Sequence, residues 1–224
     1  MNMRWLLLLP VFLFFVVFSF SQDIEDPKVL LKQLQQAEEE QRPGILYKLV
    51  IAYLGNDKEK SIRYGEQALA EAESIGSDSM QIAALSILAM ACQHHGEDRE
   101  GLAYAQRALE LAKEKGTKRQ LLEAYGANTI GMITLRQTDR ALETARDGLK
   151  LAEAEHDTLM MVNFMEIIAA SYKELHQWEE AEPVYQKERS LVEALGRPFE
   201  KGRLIPTGGN YMAPNFALNK LPTF

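Results

Sequence analysis

Cysteine is almost absent from this sequence, which has one such residue in 224. A single cysteine excludes an internal disulfide and any metal site built from several cysteines. An excess of positive charge is also absent, because the formal net charge is −7, and such a chain is a poor candidate for nucleic-acid binding. Hydrophobic residues make up 46% of the sequence, which is enough for a folded core.

The motifs of common catalytic and cofactor sites are missing as well. No glycine-rich loop is followed by a phosphate-binding lysine, and there is no His-Glu-x-x-His motif. His94 and His95 are adjacent, so they point about 100° apart on a helix and are poorly placed to chelate one metal ion. The glutamate runs at 38–40 and 179–180 are typical of solvated faces. We therefore expect a protein that is not an enzyme and has no metal or cofactor.

One long hydrophobic run lies at the start of the chain. Residues 5–20 are almost wholly apolar after Arg4, and small side chains at positions 19 and 21 precede a cleavage position after residue 21. This pattern predicts a secretory signal peptide over residues 1–21. A retained anchor is the alternative, although a membrane-spanning helix needs about 20 apolar residues. Both interpretations place the rest of the chain outside the cytoplasm, in the periplasm or secreted.

A period of 40 residues organises the middle of the chain. Similar six-residue segments begin at Tyr64, Tyr104 and Thr144, and each ends with leucine. Around the second segment, residues 98–114 show apolar residues at helical spacing, and each copy contains an earlier, more apolar helical pattern. Gly116 follows and is predicted to stop the helix in a left-handed conformation.

Small residues recur where two helices would cross. On the first helix of the copies they are Ala89, Gly131 and Ala169, and on the second helix they are Ala68, Ala108 and Gly148. A small side chain allows two helix backbones to approach closely, while larger neighbours fill the groove beside it. Repetition of this pattern predicts antiparallel helix hairpins stacked into a superhelix.

The pattern resembles the tetratricopeptide repeat. The clearest match is Ile168-Ala169 with Tyr172, Trp178, Ala181 and Tyr185. Further matches are Leu88-Ala89 with Cys92 and Ala108, Ile130-Gly131 with Ala141 and a shortened turn between the helices, and Leu49-Val50 with Tyr53 and Ala68. The resemblance implies an all-α fold, an α-solenoid of about four repeats over residues 44–196. The period of 40 exceeds the usual value of about 34, and the family's proline after the second helix is missing. The phenylalanine-rich leader with its Ser-Gln junction resembles exported proteins of the Bacteroidetes, whose sensor and adaptor proteins contain such arrays.

Two further segments flank the predicted array. Asp26-Pro27 is a good helix start, and we expect an N-terminal capping helix over 27–41, in a unit that spans 22–43 and ends at Pro43-Gly44. Residues 197–224 combine prolines and glycines with apolar side chains. This tail is expected to cap the last hairpin, to be disordered, or to occupy the groove of another copy.

In tetratricopeptide arrays the first helix of each pair lines a concave surface on which peptides or partner proteins lie. The resemblance implies that this surface contains Tyr47, Ile51, Ser86, Met90, Gln93, His94, Asn128, Met132, Arg136, Asn163, Glu166, Ala170 and Lys173. Asn128 and Asn163 would bind a ligand main chain, and Arg136 and Lys173 would bind a ligand carboxylate. Solvent-facing polar residues without a ligand are the alternative. Cys92 is expected to be a small buried hydrophobic residue.

Three functions fit these features. The first is an exported module that binds a protein or peptide and acts as an adaptor or sensory input. The second is the truncated sensor half of a membrane signalling receptor, of the histidine kinase or transcription-regulator type. The third is a structural homo-oligomer joined through the C-terminal hairpin. Membrane association is expected only if the N-terminal apolar segment is retained.

Overall fold

The computed structural model describes residues 25–194, and all regular secondary structure in this range is helical. The predicted signal peptide and the predicted tail lie outside the described residues. Within the range, nine α-helices and one 3-10 helix, Glu39–Gln41, follow one another. The α-helices are α1 (Pro27–Gln36), α2 (Arg42–Leu54), α3 (Lys58–Ile75), α4 (Asp78–His94), α5 (Asp98–Lys115), α6 (Lys118–Thr134), α7 (Thr138–Ala154), α8 (Thr158–Glu174) and α9 (Trp178–Ala194).

Side-chain caps fix where the first helices of the repeats begin. Ser77, Thr117 and Asp157 lie 40 residues apart, and each side chain accepts a hydrogen bond from the backbone N–H three residues later. Asp57 caps α3 in the same way. Such caps satisfy N–H groups that have no partner within the helix. The spacing of these capping residues therefore sets the 40-residue repeat period.

The linkers that follow α4, α6 and α8 share one conformation. Gly96, Arg136 and His176 have left-handed φ angles of 79°, 59° and 59°. In each linker the next backbone N–H donates to the carbonyl five residues earlier, at N···O distances of 2.8, 2.9 and 2.8 Å. This is the arrangement of a Schellman motif, which satisfies carbonyls at a helix end. All three helix pairs consequently have the same turn.

The helices stack in order as hairpins. Each helix from α2 onward packs against the helices before and after it, which gives the hairpins α2–α3, α4–α5, α6–α7 and α8–α9. Successive first helices (α2, α4, α6, α8) also contact one another, whereas no two second helices (α3, α5, α7, α9) of the described range do. The array therefore curves with its first helices on the inner side, and the predicted all-α solenoid is confirmed.

Small residues lie at the helix crossings, as predicted. Ala68, Ala89 and Ala108 are each 0% exposed. At Gly65 a β-carbon would lie 2.8 Å from Cδ1 of Leu88 on the next helix. Because such a contact is too short for two carbon atoms, the backbones of α3 and α4 can approach this closely only when position 65 has no side chain.

The third repeat departs from its predicted alignment. The linker at 135–137 is as long as that at 95–97, so the prediction of a shortened turn is wrong. With equal turns, Asn128-Thr129 rather than Ile130-Gly131 occupies the position of Leu88-Ala89. The apolar character of Ile130-Gly131 produced the incorrect alignment, which was shifted by two residues.

Gly116 does not adopt the predicted left-handed conformation. Its φ is −79° and its ψ is 160°, which is extended backbone. A β-carbon at this position would lie 2.8 Å from both Cα and O of Ala112. Glycine is therefore suited to this helix end because the chain folds tightly against the last turn of α5, and not because of a positive φ.

The predicted capping helix is shorter than expected. Helix α1 ends at Gln36 rather than at residue 41, and Pro43 lies in the first turn of α2 instead of breaking a helix. Proline suits the first turn of a helix, whereas in a helix interior its ring clashes with the carbonyl four residues earlier. Arg42 connects α1 and α3 to the start of α2. Its Nη1 donates to the Leu34 carbonyl of α1 at 3.1 Å, and its Nε and Nη2 donate to the Glu71 carboxylate of α3 at 3.0 and 2.8 Å.

Candidate functional site

The inner side of the curved array forms one continuous surface, which we call the concave face. At the repeat period, equivalent positions of the first helices align along it in three rows. The rows are Tyr47, Ser86, Gly126 and Glu166; Ile51, Met90, Ile130 and Ala170; and Ala83, Glu123 and Asn163. All of these residues except Gly126 and Ile130 are partly exposed, so the face can contact a ligand.

Helix α2 enters this alignment with an offset of 39 residues. That offset matches the buried Leu46 and Leu49 of α2 with the buried Leu85 and Leu88 of α4. It places Tyr47 beside Ser86 in the first row, in agreement with the sequence analysis.

Tyr47 of the first repeat is influenced by charged residues of the third repeat. The pKa of the Tyr47 hydroxyl is raised to about 12, mainly by burial and also by the Glu123 carboxylate, while the Arg119 guanidinium lowers it. Arg119 and Glu123 form an ion pair on α6, with an Nε···Oε1 distance of 2.7 Å.

Ser86 provides an unused hydrogen-bonding group on this face. Its hydroxyl is shielded from solvent and has no hydrogen-bond partner within residues 25–194. A buried polar group without a partner is costly. Met90 lies one turn further along α4 and is partly exposed, and methionine adapts its shape readily to different apolar ligands.

Three residues predicted for the concave face are buried instead. Gln93, Asn128 and Met132 are 6%, 2% and 5% exposed, which corrects their predicted placement. The two-residue shift explains Asn128 and Met132, because it placed core positions of α6 on the inner surface. Gln93 faces α6, where its Nε2 donates to the Ala127 carbonyl at 3.2 Å.

A buried polar layer therefore separates the second and third repeats. Asn128 and Thr129 take positions that are apolar in the repeats on either side, and the Asn128 amide nitrogen has no partner in the described part of the chain. A β-carbon at Gly131 would lie 2.7 Å from Nε2 of Gln93. The absence of a side chain at Gly131 therefore makes room for Gln93.

Arg136 also lies outside the concave face. It belongs to the linker between α6 and α7, and its Nη1 forms an ion pair with Oε1 of Glu174 at 2.6 Å. This placement corrects the prediction that Arg136 lies on a first helix. Its guanidinium connects two neighbouring turns at the edge of the array.

The two adjacent histidines lie at the end of α4. Their rings pack edge to face with centroids 5.0 Å apart. Nε2 of His95 lies 2.9 Å from the Ser61 hydroxyl. Burial and the neighbouring His94 lower the pKa of His95. His94 remains partly exposed and can reach one end of the concave face, whereas His95 is engaged in joining α4 to α3.

The fourth repeat places its predicted residues on or beside the surface. Asn163, Glu166 and Lys173 of α8 are all partly exposed. The Asn163 amide makes only a 3.9 Å contact with the Met160 sulfur, which leaves most of its hydrogen-bonding capacity available. A ligand-binding role for Asn163 and Lys173 stays a prediction.

The sequence analysis missed Arg119 and Glu123, which contribute charge near the concave face. A strict offset of 40 from Ala83 would have identified position 123. The evenly spaced caps at Ser77, Thr117 and Asp157 supplied that register in the sequence itself.

Within residues 25–194 there is no group of three or more histidine, cysteine, aspartate or glutamate side chains placed to bind a metal ion. Nor is any helix in that range both long and apolar enough to cross a membrane.

Cys92 is 2% exposed, and burial raises the pKa of its thiol to about 11, which confirms that it is a buried residue.

Comparison with solved structures identifies proteins of the same architecture. The chain is similar to BtubC from P. vanneervenii with a TM-score of 0.69 and 17% identity, over 79% of this chain and 75% of that chain. It is similar to a Rap protein complexed with Competence and Sporulation Factor, with a TM-score of 0.67 and 18% identity, over 75% of this chain and 47% of that one. The chain thus spans about half of the Rap protein.

A third similar structure contains the nearly identical TPR-like repeats of a Podosopora anserina kinesin light chain. Its TM-score is 0.60 at 17% identity, over 76% of this chain and 85% of that chain. A search with family models gave no match, and a search of curated proteins gave none either. At these identities the likeness shows the fold, and that fold is a tetratricopeptide-like α-solenoid.

Proposed function

We propose that this tetratricopeptide-like solenoid binds a peptide, or an extended segment of a protein, along its concave face. The observation that carries the proposal is the alignment of partly exposed first-helix positions in rows along the concave face. Such rows offer an extended chain a series of similar contacts, one set from each repeat. The Rap protein of the same fold, which is complexed with Competence and Sporulation Factor, supports the same proposal.

The side chains along the concave face match the chemistry of a peptide. Tyr47, Ile51 and Met90 present apolar surface for ligand side chains. Asn163 retains hydrogen-bonding groups for a ligand main chain. A peptide backbone offers one donor and one acceptor per residue, so an amide side chain near apolar ones can bind it.

Selection of random peptides from a display library, followed by titration calorimetry, tests this proposal. We expect an enriched peptide to bind the unmodified protein and to lose about tenfold in affinity with each of Tyr47→Ala, Met90→Ala and Asn163→Ala, since each substitution removes a contact worth on the order of 1 kcal/mol or more. Two exposed residues away from the concave face supply controls of matched chemistry: Trp178→Ala for the aromatic residue and Asn56→Ala for the amide.

The controls decide between the concave face and other surfaces. Equal losses of affinity in Trp178→Ala and Tyr47→Ala would show that the peptides bind elsewhere. Failure to enrich any peptide would contradict peptide binding itself. Circular dichroism of each variant separates lost binding from lost folding.

We further propose that the protein works outside the cytoplasm, as an adaptor or as a sensory input to another protein. The support is the apolar leader at residues 5–20, which follows Arg4 and precedes small residues suited to cleavage. Mass spectrometry of the protein from a cell fraction tests this. We expect a mature N-terminus close to residue 22 in the extracytoplasmic fraction, and an intact leader in the cytoplasm would contradict the proposal.

We also propose that binding occurs without chemical change in the ligand. The one cysteine is unsuited to act as a nucleophile, because burial raises the pKa of the Cys92 thiol to about 11 and a neutral thiol reacts slowly. Incubation of a selected peptide with the protein, followed by mass spectrometry, should return the peptide unaltered. A cleaved or modified peptide that requires the folded protein would show catalysis instead.

A further inference from the structure

An open cleft lies between the second helices α5 and α7, beside the linker that precedes α7. It has a volume of about 450 Å³ and is lined by Arg99, Leu102, Ala103, Gln106, Leu135, Gln137 and Arg140. The lining includes two arginines and no acidic residue. This composition is unusual in a chain with a net charge of −7. We call this the arginine cleft.

We call the region between two successive second helices a joint, so the arginine cleft belongs to the α5–α7 joint. The joints on either side, α3–α5 and α7–α9, have the opposite charge at the equivalent positions. The positions equivalent to Arg99 are Glu59 in the preceding joint and Asp139 in the following one. Those equivalent to Arg140 are Glu100 and Glu180. Packing of the solenoid therefore does not require arginine at these positions, and the middle joint alone combines two of them.

Both arginines occupy positions that local helix energetics disfavour. Arg99 and Arg140 lie in the first turns of α5 and α7, beside the positive ends of the helix dipoles, where acidic residues are stabilising. Local rules of this kind are most often broken where function requires it. Because Asp98, Glu100 and Asp139 lie in the same first turns, attraction of an anion in the cleft depends on the two guanidinium groups themselves.

The guanidinium groups of Arg99 and Arg140 retain N–H donors that form no hydrogen bond within the described residues. Arg99 makes no ion pair or hydrogen bond within residues 25–194. Arg140 uses one N–H, since its Nη1 donates to Oε1 of Gln137 at 2.6 Å. A guanidinium carries five N–H donors in a planar fork that fits a carboxylate. The cleft can therefore bind one carboxylate at each arginine.

The cleft also has an apolar floor. Leu102 is 5% exposed and packs with Met132 and Ala141, and Leu135 lies against this cluster. A ligand that fills the cleft would place apolar groups on this floor and anionic groups at its rim. An acidic peptide segment with leucine-like side chains combines both features.

We propose that the arginine cleft binds an acidic peptide segment of a partner protein, with carboxylates at Arg99 and Arg140 and an apolar side chain over Leu102. This site is separate from the concave face and uses second helices. A protein with both sites would hold two segments at once, as an adaptor requires.

Titration calorimetry with two short blocked peptides tests the proposal. One has the sequence Leu-Glu-Glu-Leu, and the matched neutral peptide is Leu-Gln-Gln-Leu. We expect the acidic peptide to bind, with an affinity that falls as salt is raised, and the neutral peptide to bind at least about tenfold more weakly. A third titration, with inorganic phosphate at equal ionic strength, distinguishes peptide carboxylates from phosphate.

Two double variants locate the site. Arg99→Gln with Arg140→Gln should weaken binding of the acidic peptide about tenfold or more, and Arg99→Glu with Arg140→Glu should abolish it. The second pair reproduces the charges of the neighbouring joints, so it is expected to fold. Arg63→Gln with Lys118→Gln removes the same charge elsewhere and should leave binding unchanged.

Three results would overturn the proposal. They are no binding of the acidic peptide at millimolar concentration, equal binding in the unmodified protein and in a folded arginine double variant, and tighter binding of phosphate than of the acidic peptide. Peptides selected for the concave face should bind the arginine variants normally, so failure of one site is distinguishable from failure of the other.

Discussion

Gly148 of α7 faces the ring of Phe164 on α8 without any space for a side chain. A β-carbon at position 148 would overlap this ring, with the Cε2 atom at 2.8 Å. Phe164 is 0% exposed, so its ring has nowhere to move. The third and fourth repeats are joined at this contact.

Gly148→Ala should therefore destabilise the protein although alanine favours helices. Overpacking of this kind costs about 1 to 3 kcal/mol, and we expect the free energy of unfolding in urea to fall by that amount. Gly55→Ala is the matched control, because a β-carbon at Gly55 meets no atom within 4 Å. Equal stability of the two variants would show that the third and fourth repeats are not packed this closely.

Asn128→Leu should stabilise the protein. Asn128 is 2% exposed, its amide nitrogen has no partner in the described residues, and the equivalent positions hold Leu88 and Ile168. Removing an unsatisfied buried polar group gains about 1 to 3 kcal/mol, so the denaturation midpoint should rise. The exposed Asn56→Leu should change stability little. A loss of stability in Asn128→Leu would show that the polar layer is needed for packing.

Glu188 makes the last hairpin sensitive to pH. It is 7% exposed, and its Oε2 has no partner within the described range. Burial and, to a smaller extent, the Glu166 carboxylate together raise the pKa of its carboxyl to about 7. The folded state therefore binds a proton more tightly than the unfolded state does. The contribution of Glu188 to stability is greatest below the unfolded pKa of about 4.5 and falls as the pH rises through 7.

Glu188→Gln should remove this dependence on pH. At pH 8 we expect the variant to be more stable than the unmodified protein by about 1 to 3 kcal/mol, and at pH 4 we expect little difference. Unfolding by urea at both values measures this. Glu179→Gln, an exposed carboxyl on the same helix, serves as control. A stability difference that does not change between pH 4 and pH 8 would contradict the assignment.

Glu188 also occupies a position that matters for stacking. Tyr185 and Glu188 of α9 correspond to Ala145 and Gly148 of α7. A further helix could not approach α9 as α8 approaches α7, because the side chains are larger and one carries a charge. A homo-oligomer formed through the last hairpin would thus need a different packing geometry.

Arg42→Met should loosen the N-terminal helix. The Arg42 guanidinium bonds both the Leu34 carbonyl of α1 and the Glu71 carboxylate of α3, and methionine retains apolar contact but no donors. We expect hydrogen exchange of the α1 amides to accelerate while that of α6 to α8 stays constant. Unchanged exchange in α1 would show that Leu30 and Leu34 alone hold this helix in place.

The sequence predicts most of this fold because its signals are local and repeated. Caps at Ser77, Thr117 and Asp157, together with buried alanines at fixed intervals, are sufficient to define helix hairpins and their order. The third repeat was misaligned because Ile130-Gly131 looks apolar and small, whereas the true core positions contain asparagine and threonine. Burial of these polar residues depends on packing against Gln93 and its neighbours, which no helical period reveals.

The candidate binding surface was less predictable than the fold. Tyr47, Met90 and Asn163 are partly exposed on first helices, and their role in binding stays a prediction. The electrostatic influence of Glu123 on Tyr47 depends on how the repeats stack, which no helical period reveals. The arginine cleft combines residues from two helices and a linker. Its charge stands out only when each position is compared with its equivalents one repeat away.

Hydrogen exchange with and without a peptide selected on the folded Arg99→Gln/Arg140→Gln variant, which lacks the charges of the arginine cleft, tests the central claim most directly. If peptides bind the concave face, added protection should be confined to α2, α4, α6 and α8 and should disappear in the Tyr47→Ala variant. Protection that falls instead on the second helices α3, α5, α7 and α9 would contradict the account.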